Sequence, residues 1–65
     1  MVNVVIESTG ERIEFRHLNT VMQLLGKLKL KSTEVLVIRG SELLTPDRKI
    51  GHEGDIRIRH VVSRG

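Results

Sequence analysis

An α+β fold is predicted: a mixed four- to five-stranded sheet with one helix packed across one face. Three observations predict it. Short segments of alternating apolar and polar residues recur along the chain, as half-buried strands require. Only one segment switches to the helical period. The chain has 65 residues, which suits one small domain and a marginal core, because a chain of that size buries only about 60% of the surface its unfolded form exposes.

The elements follow in order. "VNVVIES" places Val2, Val4 and Ile6 on one face, with Val5 breaking the alternation, and reads as a strand. "STG" is a turn cluster in which Gly10 can take positive φ without a steric cost. "ERIEFR" alternates strictly, with Ile13 and Phe15 directed inward and Glu11, Arg12, Glu14 and Arg16 mostly outward. Two strands joined by a short glycine turn form a hairpin.

"TVMQLLGKLKL" then spaces Val21, Leu24, Leu25 and Leu28 at i, i+3, i+4 and i+7, the stripe of an amphipathic helix. Thr20 and Gln23 have the spacing of a capping box at its start. Gly26 weakens the helix by about 1 kcal/mol relative to alanine, and is read as allowing close approach to the sheet. Lys27, Lys29 and Lys31 suit the negative end of the helix dipole.

"EVLVIRG" is a continuous apolar run and reads as a central strand buried on both sides. Gly40 and Ser41 turn the chain into "ELL", a short edge strand in which one of Leu43 and Leu44 belongs to the core. "TPDRKIGHEGD" carries Pro46, Gly51 and Gly54 and reads as loop, with Asp55 capping its last turn. "DIRIRHVV" is the final strand, with Ile56 and Ile58 on one face and Arg57 and Arg59 on the other. The order β-β-α-β-(β)-β leaves one helix to cover one sheet face. That is the β-grasp, or ubiquitin-like, arrangement, in which the last strand lies in the middle beside the first. Residues 1–65 are read as one such domain, with 62–65 as a flexible C-terminal tail.

Composition narrows the function. No cysteine is present, which excludes disulfides, thiolate zinc sites and a cysteine nucleophile. "MVNVVIESTG" has no signal-peptide pattern, and the longest purely apolar run, Val35 to Ile38, is far too short to span a membrane. A soluble, cytoplasmic protein with no membrane partner is expected. The net charge of +3 could suit nucleic acid. Phe15 is the single aromatic residue, however, and single-strand binders need aromatic faces for stacking, so nucleic acid is not the expected partner.

Catalytic and metal constellations are set aside. His17, His52 and His60 stand in different elements without metal-ligand spacing. Ser8, Ser32, Ser41 and Ser63 have no neighbouring base in a nucleophile motif. Asp47, Glu53 and Asp55 lack the cleft that a carboxylate pair needs, and no glycine-rich phosphate loop is present. No enzyme activity, cofactor or metal is expected.

The last third resembles the ThiS/MoaD family of small sulfur carriers, relatives of ubiquitin. Glu53-Gly54-Asp55-Ile56 is similar to the family's acidic-Gly-Asp turn before the last strand, "VLVIRGSELL" to its central strand, turn and edge strand, and "HVVSRG" to its "VVSGG"-type ending. The resemblance implies a C-terminal glycine carboxylate, that of Gly65, which a ubiquitin-activating-type adenylyltransferase converts to an acyl-adenylate. Sulfur then replaces AMP to give a thiocarboxylate for thiamine, molybdopterin or tRNA thiolation, or a lysine amine attacks to conjugate the chain. It further implies a downstream partner such as thiazole synthase or the large subunit of molybdopterin synthase. By the same resemblance, Ser63, Arg64 and Gly65 are the expected activation site.

Arg64 departs from the family's Gly-Gly ending. It fits a partner with an acidic channel mouth, a member that no longer carries sulfur, or a chain continuing to a second glycine. An extended segment from Val61 to Gly65 reaches at most roughly 17 Å. A partner surface is expected on the outward face, from Val5, Arg57, Arg59 and Val61, extended by Leu43. An open sheet face with arginine stems lying over it is the plain alternative. The competing function is a β-grasp module that binds RNA or protein and never uses its C-terminus.

Overall fold

The computed structural model describes residues 1–61. The tail assigned to residues 62–65, including Ser63, Arg64 and Gly65, lies outside the described residues.

Among the described residues, seven strands and one helix follow one another: β1 (Val2–Ile6), β2 (Glu11–Phe15), β3 (Leu18–Thr20), α1 (Val21–Leu28), β4 (Val35–Arg39), β5 (Glu42–Leu44), β6 (Lys49–Gly51) and β7 (Gly54–His60). Five of the strands form a mixed sheet in the order β2-β1-β7-β4-β5, and β3 pairs with β6 in a separate two-stranded ladder. β7 therefore sits between β1, to which it is parallel, and β4, to which it is antiparallel.

Period-2 alternation sorts the strand residues by face. Val2, Val4, Ile56 and Ile58 are fully buried, and Val35 and Val37 nearly so. Val21, Leu24 and Leu25 of α1 join the same core cluster, with Leu28 packed against it. Among the described residues no charged or polar side chain is buried, so this core carries no desolvation penalty from unpaired groups.

The helix begins as its sequence predicts. Thr20 Oγ1 accepts from the Gln23 N–H at 3.2 Å, and Gln23 Oε1 accepts from the Asn19 N–H at 2.6 Å. The side chain thus reaches one residue further back than in the usual capping box. The next free amides also find partners: Val21 N–H donates to the Arg48 carbonyl and Met22 N–H to the Pro46 carbonyl. The helix ends at Lys29, which is left-handed at φ 59°, with Leu30 N–H donating to the Leu25 carbonyl at 2.9 Å. This is a Schellman closure in which lysine occupies the position that usually falls to glycine.

Four local expectations are corrected. β4 is buried on one face only, because Leu36 points away from the helix and is 38% exposed. The 45–55 segment is not all loop: Lys49–Gly51 forms β6, and its single apolar residue, Ile50, enters the core. Gly26 provides no close approach, since a Cβ built there meets nothing within 4 Å. Asp55 does not cap a turn; it lies in β7 and accepts from Asn3 Nδ2 at 3.3 Å. In a separate turn, closed by the Arg48 N–H donating to the Thr45 carbonyl, Asp47 Oδ1 accepts from Thr45 Oγ1 at 2.6 Å. That hydrogen bond holds the Asp47 carboxyl below its ordinary range.

Candidate functional site

The helix covers one face of the sheet, and the expected partner residues occupy the other. Their arrangement follows from strand register. Arg12 of β2 lies opposite Val5 of β1, Val5 beside Arg57 of β7, Arg57 opposite Ile38 of β4, and Ile38 opposite Leu43 of β5. One row of side chains thus crosses all five strands. In the next row Arg59 stands opposite Leu36. The face ends at Val61, whose N–H donates to the Glu34 carbonyl at 2.9 Å, so the chain is held against β4 up to the last described residue.

The five predicted partner residues, Val5, Arg57, Arg59, Leu43 and, at its edge, Val61, fall together on this surface. Val61 follows Arg59 in the same alternation and is 45% exposed. Leu43 is more exposed still, at 59%, while its neighbour Leu44 is the edge-strand leucine that enters the core. Leu36 and Ile38 complete the apolar part, which sequence reading had assigned to the interior.

A residue that sequence reading passed over organises the charge. Glu7, just past β1, accepts from Arg59 Nε at 2.8 Å and lies 3.5 Å from Arg57. The hydrogen bond from Arg59, with the attraction of both guanidinium groups, holds the Glu7 carboxyl below its ordinary value, against a smaller opposing effect of desolvation. Arg59 is shifted upward by the same partner. Arg57 also donates to the Gly40 carbonyl at 3.1 Å. The two arginines are therefore held in place rather than free to sweep solvent. The available signal was the alternation of Val5 and Glu7 on one face. It becomes informative only once β1 is known to run parallel to β7.

Two further pairings join residues that are remote in sequence. Ser8 Oγ lies 3.0 Å from His60 Nδ1, so Ser8 does have a base beside it. Both side chains are exposed. His17 and His52, expected to be apart, have ring centroids 4.5 Å from each other. Among the described residues no group of three or more His, Cys, Asp or Glu side chains is placed to hold a metal ion, and no helix is long and apolar enough to cross a membrane.

No protein-family model and no curated protein matches the chain.

Proposed function

We propose that the chain is a β-grasp protein that acts as a ubiquitin-like sulfur carrier, its Gly65 carboxylate being the group that reacts. The carboxylate attacks the α-phosphorus of ATP in the site of a partner adenylyltransferase, releasing pyrophosphate and forming an acyl-adenylate. A sulfur nucleophile then displaces AMP and leaves a thiocarboxylate; a lysine amine in its place forms an isopeptide bond. The carrier contributes no catalytic group. It contributes a docking face and a chain end delivered from a fixed body.

One observation carries the reading. The strand leading to the C-terminal segment is the central one, paired on both sides and tied at Val61 to the Glu34 carbonyl. Whatever follows departs from a rigid base next to the face built from Val5, Arg57, Arg59, Val61 and Leu43. Arginine and apolar groups together are the composition favoured at interface centres. The resemblance of Glu53–Ile56 and of the "HVVSRG" ending to the sulfur-carrier family adds support, with Ser63 and Arg64 leading to the reactive Gly65.

The test is intact-mass measurement after incubation with an adenylyltransferase of the ubiquitin-activating type, ATP and a sulfur donor. Exchange of one oxygen for one sulfur, mapped to Gly65, is the expected result. Absence of adenylate, thiocarboxylate and lysine conjugate across a panel of such enzymes overturns it. Arg12, Arg57 and Arg59, which share this face, favour one competing reading, a binding module for RNA or protein. Steeply salt-dependent RNA affinity that survives deletion of residues 63–65 would establish that reading instead.

A further inference from the structure

We propose that His17 and His52 form a two-ligand site for a borderline divalent metal ion of the zinc, nickel or copper type. The site is independent of the sheet face and of the carrier reading. It lies at the end of the β3–β6 ladder, where Leu18 pairs with Gly51 and Thr20 with Lys49. Continuing that antiparallel register one step outward sets His17 opposite His52. Directly opposed residues hold their Cβ atoms about 4.5–5.5 Å apart. The ends of the two short strands thus bring the residues side by side, and their rings lie together.

The ring geometry fits a shared ion. The imidazole centroids are 4.5 Å apart, and the planes are tilted by 45°. Two imidazoles bound to one ion through nitrogen–metal bonds of about 2.0–2.1 Å place their ring centres about 4.5 Å apart at a right-angled N–metal–N and about 5.2 Å apart at a tetrahedral one, so a small opening of the pair admits zinc. Both residues are exposed, so an ion reaches them without opening the fold. Imidazole nitrogen suits zinc, copper and nickel, while magnesium and calcium prefer oxygen. Since no third ligand completes the set among the described residues, water or an added ligand takes the remaining positions. His60 provides an internal comparison, because it is exposed but is engaged with Ser8.

The experiment is a zinc chloride titration of the full chain, followed through the imidazole proton and carbon resonances. The His17 and His52 signals are expected to move together and saturate at no more than one ion per chain, with His60 unmoved. Loss of a ligand costs at least what loss of its supporting shell does, so His17→Ala is expected to weaken the response of His52 by about tenfold or more. Three outcomes overturn the site: no response, equal response of all three histidines, or undiminished response of His52 in the His17→Ala chain.

Discussion

Arg59 Nε donates to Glu7 Oε1 at 2.8 Å across the parallel pairing of β1 and β7. The bond favours the ionised carboxylate, so Glu7 titrates below its ordinary value of 4.5. The folded-state pKa lies under the unfolded one. The pair therefore contributes its full stabilisation above about pH 4.5 and loses it as the pH falls through the depressed folded-state value. A carboxyl-carbon titration by NMR should find Glu7 below 4.5 in the native chain. It should rise toward that value in Arg59→Ala, and in part at high salt, where exposed pairs are screened. An unshifted Glu7 would show that the ion pair is not populated in solution.

The face around that pair separates binding from stability. Leu43 is 59% exposed and sits in an edge strand, so Leu43→Asp should change folding stability by no more than about 0.5 kcal/mol. Placed in the centre of an interface, the same carboxylate would be desolvated without a partner. On the proposed carrier function, Leu43→Asp and Arg57→Glu should therefore both block adenylation of Gly65 in a partner enzyme, Leu43→Asp with its denaturation midpoint near that of the parent and Arg57→Glu with a lower one, because it sets a second carboxylate beside Glu7. Normal activation of both variants would remove this face from the docking surface.

The long, periodic elements were legible from residues alone. Val2, Val4 and Ile6, then Ile56 and Ile58, alternate plainly, and Val21, Leu24 and Leu25 define the buried helix stripe. Two kinds of feature were not legible. The first is the three-residue strand. Leu18 and Ile50 each supply a single apolar residue to β3 and β6, too little for any period to emerge, and Pro46, Gly51 and Gly54 mark the surrounding segment as turn. The second is pairing across the chain. Four apolar residues in a row, Val35–Ile38, do not reveal whether the outer face is covered. Among the described residues that face stays open because their one helix lies on the opposite side. Glu7 beside Arg59, Ser8 beside His60 and His17 beside His52 follow from strand order and register, which no local window contains.

Gly26 offers a stabilising substitution. It lies inside α1 on the exposed side, and a Cβ there enters open space. Alanine removes conformational freedom from the unfolded chain and exacts no steric cost here. Gly26→Ala should add about 1 kcal/mol, or raise the melting temperature by about 4–8 °C for a domain of this size. Calorimetry measures this directly. A loss of stability would mean that the helix sits closer to another surface than its open side indicates.

Lys29 offers a second one, by a different mechanism. It closes α1 at φ 59° and ψ 41°, a conformation in which its Cβ crowds the following carbonyl, at a cost of about 1–2 kcal/mol for a residue other than glycine. Its charge returns about 0.3–1 kcal/mol at the negative end of the helix. The strain is the larger quantity, so Lys29→Gly should stabilise the chain by about 0.5 kcal/mol. Lys29→Ala keeps the strain and loses the charge, so it should destabilise. Urea denaturation at unchanged slope distinguishes the two directions. If both variants lose stability, the left-handed closure is not a source of strain and the lysine head group is the part that matters.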